Sequence, residues 1–315
     1  MPLDPIVVGY LASLHAMADH TPSVDDIPAL RVQVDALMGA AAGVIFESVT
    51  IEDRVIDEIP VRLYRPTGDG PLALHVYFHG GAFIFGSALS GHDDRMLAER
   101  AQAAGCVVAS VEYRLAPEHR FPAGVEDCYQ ALLGLVEAAD ELGVDSGRVT
   151  VGGASSGGNF AAVVALMCAE RGGPALRLQL LEVAGTDLTK TSHAWRNPAE
   201  GHDTTREADL TLIDMYLGGL PERAHPHASP LFAPDLSGIA PAYVMNAEYD
   251  PRRDECEAYV ARLQDAGVSA TTRTFEGHIH GSMGIPGWGP AIRWQDEANH
   301  ILALANSNAL TLDTA

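Results

Sequence analysis

Lysine is almost missing from this chain. Lys190 is the only one in 315 residues, and arginine supplies the rest of the 20 basic side chains. Acidic residues are plentiful: 42 Asp and Glu give a net charge of −22. A surface of that sign repels nucleic acid and anionic membranes, so neither is expected as a partner. We read the acidity as a solubilising surface and the shortage of lysine as genome composition. Cysteine is sparse too. Cys106, Cys128, Cys168 and Cys256 lie far apart with no C-x-x-C pair, so buried free thiols in a reducing compartment are expected. No apolar run reaches the ~18 residues of a membrane span. No Lys or Arg precedes the first apolar stretch after Met1-Pro2-Leu3-Asp4, so the N-terminus does not read as a secretory signal, and a cytoplasmic location is expected.

What the chain does have is 47% hydrophobic residues, enough for a sizeable core in one large domain or two small ones. Helical spacing of Ile6, Val7, Tyr10 and Leu11 after Asp4-Pro5 predicts a first helix. A second is expected over 28–42, with Gly43 as its stop. Residues 44–51 and 59–65 alternate like an antiparallel strand pair. Strands are then expected at 72–78, 106–111, 148–151, 176–183, 242–246 and 270–275. Helices are expected at 93–104, 124–142, 160–171, 254–266 and 292–305. Such alternation predicts a mostly parallel sheet with helices on both faces. Residues 187–234 break the rhythm: they are polar, with one helix expected near 208–217, and read as a lid or cap insertion.

The chemistry centres on Gly153-Ala154-Ser155-Ser156-Gly157. This G-x-S-x-G run lies between an apolar strand and a small-residue helix, the setting in which a serine hydroxyl is exposed on a sharp turn at a helix N-terminus. The five-residue pattern also occurs in plain glycine-rich turns, so partners matter. A serine nucleophile needs a base, an orienting acid and an oxyanion hole. Asp250 directly follows a strand at the carboxyl edge of the sheet and is the favoured acid. Glu248 and Asp254 are its rivals, and Asp254 fits better in the first turn of the next helix. The base lies in Gly277-His278-Ile279-His280-Gly281, where alternation alone does not choose between the histidines. A solvent-facing loop position is the competing expectation for either, and the stronger one for His278. The loop His79-Gly80-Gly81-Ala82-Phe83-Ile84-Phe85-Gly86 follows a strand, and glycines there let backbone N–H groups approach an oxyanion. The expected donors are Gly81, Ala82 and Ser156, with His79 as a brace of the loop. Phe83, Phe85, Met215 and Tyr216 are pocket candidates, with core packing the competing reading for Met215 and Tyr216. His225-Pro226-His227 and His92-Asp93-Asp94 lack a completing partner at a recognised spacing, so no metal is expected.

Five motifs in order resemble the hormone-sensitive-lipase-like carboxylesterases, the bacterial family IV esterases of the α/β-hydrolase fold. They are HGGA with FIFG (79–86), VEYRLAPEHRFPA (111–123), VGGASSGGN (151–159), DPRRDE (250–255) and HIHG (278–281). The resemblance spans about residues 44–305 and looks closest to the heroin-esterase-like branch, since Ser282 follows His280-Gly281. It implies that Asp250, which opens the family's DPLRDE motif, is the catalytic acid. It implies that His280, which precedes the glycine of an IHGF-like run, is the base. Three departures stand out. Ala82 replaces the third glycine of HGGG and is tolerable there with negative φ. Ala154 and Ser156 replace the aspartate and second alanine of GDSAG.

The expectation is one α/β-hydrolase domain with cap elements at about 1–43 and 187–234. Its function would be hydrolysis of short- to medium-chain carboxylic esters through an acyl-enzyme on Ser155, with no cofactor. An amidase or peptidase could use the same triad. A non-catalytic receptor of the same fold, like the plant gibberellin receptors, is disfavoured because those lack the catalytic histidine. The expected partner is a small-molecule ester. Oligomeric state stays open, a homodimer included.

Overall fold

The apolar runs become eight strands of one sheet in a computed structural model that describes residues 3–17, 23–39, 48–196, 205–219, 221–307 and 309–312. The strands are β1 (Val49–Ile56), β2 (Ile59–Pro66), β3 (Leu72–Phe78), β4 (Cys106–Val111), β5 (Val144–Ala154), β6 (Leu178–Glu182), β7 (Ala242–Ala247) and β8 (Ala270–Phe275). The helices are α1 (Pro5–Met17), α2 (Ile27–Gly39), α3 (Asp94–Ala104), α4 (Ala123–Glu137), α5 (Ala139–Leu142), α6 (Ser156–Arg171), α7 (His193–Arg196), α8 (Arg206–Leu217), α9 (Arg253–Asp265) and α10 (Gly289–Asn306). Spatial order is β1-β2-β4-β3-β5-β6-β7-β8. The first two strands pair antiparallel, β2 meets β4 antiparallel, and every later neighbour is parallel.

Strand periodicity sorts the core. In β3, Leu74, Val76 and Phe78 face one apolar cluster while Ala73 and Tyr77 face the other, because successive side chains point to opposite sides of a sheet. A strand covered on both faces needs no alternation, and β4 (CVVASV) is buried throughout. Helix α6 is buried from Ser156 through Cys168. It therefore runs in the interior, and its small residues permit close approach to the strands.

Two departures from the expected elements stand out. The first strand runs from Val49 to Ile56, later than 44–51, of which 44–47 lie outside the described residues, as does Gly43. It ends in a two-residue hairpin turn at Asp57 (φ 48) and Glu58 (φ 69), a left-handed turn without the usual glycine signal. The helix expected at 124–142 is two helices, because Ala138 (φ −82, ψ 10) interrupts it before Gly143 closes α5. The first helix starts where expected: Asp4 Oδ1 accepts from Ile6 N at 2.8 Å. Its Val7 and Leu11 pack with Ile279 and Trp288.

Parallel register brings several strand ends to one edge. Phe78 pairs with Gly153, Ala154 with Glu182, and Ala247 with Phe275. The loops after β3, β5, β7 and β8 therefore emerge together. Among the described residues of 187–234 there is no strand, only α7, α8 and short 3-10 turns. No described helix is long and apolar enough to cross a membrane.

Candidate active site

The turn after β5 is built by close packing. A side chain on Gly157 would place its Cβ 1.9 Å from Phe78 O, so only glycine lets α6 start this near β3. The sharp reversal falls on Ser155, at φ 56 and ψ −117. Such backbone costs a non-glycine residue about 1–3 kcal/mol and must be held by its surroundings. Ser155 N donates to Glu182 O at 2.9 Å and Asn159 N donates to Ser155 O at 3.0 Å. Ser156 is the first residue of α6, so its N–H has no acceptor inside that helix.

The loops after β7 and β8 meet this turn. His280 Nε2 lies 2.9 Å from Ser155 Oγ, and His280 Nδ1 lies 2.6 Å from Asp250 Oδ2. With Asp250 ionised, Nδ1 holds the proton it donates to the carboxylate, which leaves Nε2 to accept from the serine hydroxyl. Asp250 Oδ1 accepts from Arg252 N at 2.9 Å and faces Arg252 Nη1 at 3.4 Å. Burial alone would raise this carboxyl. The positive charge His280 carries when protonated, the His280 hydrogen bond and Arg252 outweigh it and hold the group well below the usual carboxylate range.

The rivals are placed elsewhere. Glu248 Oε2 accepts from Gly277 N at 2.7 Å and braces the loop after β8. Asp254 sits in the first turn of α9, as its position suggested, and accepts from Ala194 N at 2.8 Å. The competing expectation that His278 faces solvent fails. It is buried, with Nδ1 2.8 Å from Ser282 Oγ, and its ring lies 4.7 Å from that of Trp288 and 5.3 Å from that of Trp294. Burial pushes its pKa down to about 4. The reason is the tight turn at Gly281, which lets Ser282 N bond back to Ile279 O and folds His278 inward.

The loop after β3 curls beside Ser155. Gly81 O accepts from Ile84 N and Phe85 N, and Gly81 itself takes φ 130. Ala82 does not keep negative φ: it sits at 53, and Phe83 at 66. Two consecutive left-handed residues are the cost of the turn, about 1–2 kcal/mol for each residue with a Cβ. His79 stacks on Tyr113 at 4.2 Å, and Tyr113 Oη donates to His79 O at 2.7 Å, so the histidine braces the loop. Arg31 of α2 also holds the loop, donating to Ile84 O at 2.8 Å.

A cavity of about 20 Å³ adjoins Ser155, room for about one water. Ala82, Phe83, Ser155 and Ser156 form its near wall. Phe83 is the one aromatic pocket candidate that lines it. Tyr216 lies behind, stacked on Phe83 at 4.1 Å, while Met215 is buried in the core and Phe85 packs against it. The far wall comes instead from Leu212, Ile213 and Asp209, the preceding turns of α8, with Lys190 and Arg252. Sequence reading missed these last three charged residues. The signals available were a single lysine in a lysine-poor chain and an arginine where DPLRDE has leucine.

His227 Nε2 is 2.7 Å from Glu170 Oε2, and among the described residues no group of three His, Cys, Asp or Glu could hold a metal ion.

Comparison with known proteins agrees with this geometry. Residues 75–284 match a family described by its alpha/beta hydrolase fold. A carboxylic ester hydrolase, LipN, of Mycobacterium tuberculosis is 38% identical over 271 residues, 83% of this chain and 71% of that protein. An arylesterase of Saccharolobus solfataricus is 33% identical over 91% of this chain and 94% of its own length. The structure of a bacterial heroin esterase superposes with a TM-score of 0.86 at 34% identity, over 96% of this chain and 98% of that one. Motif order, sheet topology and these likenesses converge: the chain belongs to the hormone-sensitive-lipase-like carboxylesterases of the α/β-hydrolase fold.

Proposed function

We propose that this carboxylic ester hydrolase works through Ser155 as nucleophile, His280 as general base and acid, and Asp250 as the group that orients His280. The contact line from Ser155 Oγ through the imidazole to Asp250, 2.9 and 2.6 Å, is the observation that carries the assignment. Ser155 Oγ attacks the ester carbonyl as Nε2 takes its proton. Asp250 stays ionised and stabilises the imidazolium that forms. The oxyanion rests on the N–H groups of Gly81, Ala82 and Ser156, each worth ~3 kcal/mol to the transition state. The imidazolium protonates the leaving alcohol, and water then cleaves the acyl-enzyme by the same route. No step asks for a cofactor.

Helices α1 and α2 and residues 187–234 act as the cap, and membership of this family together with a capped pocket favours short to medium acyl chains over triglyceride. The substrate is a small-molecule ester. A reducing, cytoplasmic site of action fits four cysteines that are all free and buried. Ser155→Ala should lower turnover of p-nitrophenyl butyrate on the order of 10⁴-fold or more with the fold intact. A purified Ser155→Ala protein that keeps its turnover would refute the assignment.

A further inference from the structure

The cavity beside Ser155 has an ionic far wall. Arg252 Nη2 lies 2.6 Å from Asp209 Oδ1, and Lys190 Nζ lies 3.4 Å from Asp209 Oδ2 and 3.2 Å from Glu255 Oε1. All four side chains are buried. Lys190 Nζ and the Arg252 guanidinium also stand 5.0 and 5.2 Å from the Trp195 ring centroid, and Trp195 Nε1 donates to Glu255 Oε2. The cations and carboxylates therefore pin one another from α8, α9, α7 and the 187–190 turn. Lys190 adopts φ 52, a left-handed backbone that turns the only lysine of the chain into this cluster.

We propose that Asp209, Arg252 and Lys190 set substrate choice: the group entering this cavity is short and carries a hydrogen-bond acceptor, and alkyl tails are rejected. This rests on the ester-hydrolase reading above. A tail longer than the free space has to part a buried ion pair. Each methylene buried in an apolar pocket returns about fourfold in affinity, less than parting such a pair loses. An ether or hydroxyl oxygen instead meets an ammonium with three N–H donors and a guanidinium with five.

The test is the double variant Asp209→Leu/Arg252→Leu. It leaves Lys190 with Glu255 and Asp250 with His280, so among the described residues each of these groups keeps a partner. Matched pairs probe both halves of the ester: p-nitrophenyl butyrate against p-nitrophenyl methoxyacetate, and n-butyl against 2-methoxyethyl acetate. Intrinsic reactivity cancels when each ratio is compared with wild type. In one of the two pairs, the preference for the oxygen-bearing member in kcat/KM should fall at least fivefold. In that same half of the ester, the octyl-to-butyl or octanoate-to-butyrate ratio should rise at least tenfold. Ratios within twofold of wild type in both halves, with butyrate still turned over, would overturn the proposal. Should the double variant fail to fold by circular dichroism, Asp209→Leu alone keeps a carboxylate on each cation. Its long-to-short ratio should rise at least threefold, and an unmoved ratio refutes the proposal equally. A wild-type protein that hydrolyses none of these esters would refute the ester-hydrolase reading instead.

Discussion

The carboxyl edge of the sheet and the segment packed over it are held by different contacts. At the edge the backbone itself is close-packed. Gly157 admits no Cβ against Phe78 O, Ser155 is held at positive φ by two main-chain hydrogen bonds, and Gly81 folds its loop by accepting two more. The described residues of 187–234 rely more on side chains: Asp209 on Arg252 and Lys190, and Tyr216 on Phe83, beside main-chain bonds such as Phe121 N to Tyr216 O. Main-chain contacts fix where the reacting groups stand whatever the substrate. Side-chain contacts can be exchanged without moving those groups, so the covering segment is where preference for one ester over another is set.

The largest effect should come from Asp250→Asn, which keeps the shape of the edge and removes its charge. The wrong imidazole tautomer is then favoured, and kcat should fall on the order of 10⁴-fold with KM little changed. Steady-state kinetics with p-nitrophenyl butyrate measures this. Gly157→Ala attacks the same edge through its backbone. Phe78 O has to shift, and we expect about 3 kcal/mol or more of lost stability in urea unfolding, with activity lost alongside. A comparable substitution in the cover, Asp209→Leu, should change ester preference far more than maximal turnover. The smallest effect is on acid stability. The folded pKa of His278 is about 4 against an ordinary 6.5, so the protein favours its neutral form. That contribution is complete above pH 6.5 and is lost as pH falls from 6.5 toward 4. His278→Gln should flatten the decline in unfolding free energy across that window, and an unchanged slope would contradict it.

The same contrast explains what the sequence disclosed. The edge was legible because tight main-chain geometry demands glycines at fixed offsets, and Gly153, Gly157, Gly81 and Gly281 are readable residues. The inner parallel strands β3, β4, β6 and β7 were legible because burial on both faces leaves short, nearly continuous apolar runs. The β1–β2 turn was not, since Asp57 and Glu58 take left-handed backbone that their side chains do not announce. The ionic wall was hidden for another reason: Lys190, Asp209 and Arg252 are ordinary polar residues far apart in the chain, and only the fold makes them neighbours. His278 and His280 differ in the same way. They alternate alike, yet one is buried among Trp rings and the other faces Ser155.

The most direct measurement is labelling with a serine-directed phosphonate, read by peptide mass spectrometry on wild type, His280→Ala and His278→Ala. One adduct per chain on Ser155 is expected, formed at a similar rate in His278→Ala and far more slowly in His280→Ala. An adduct on another residue, or undiminished labelling in His280→Ala, would contradict the assignment of Ser155 and His280.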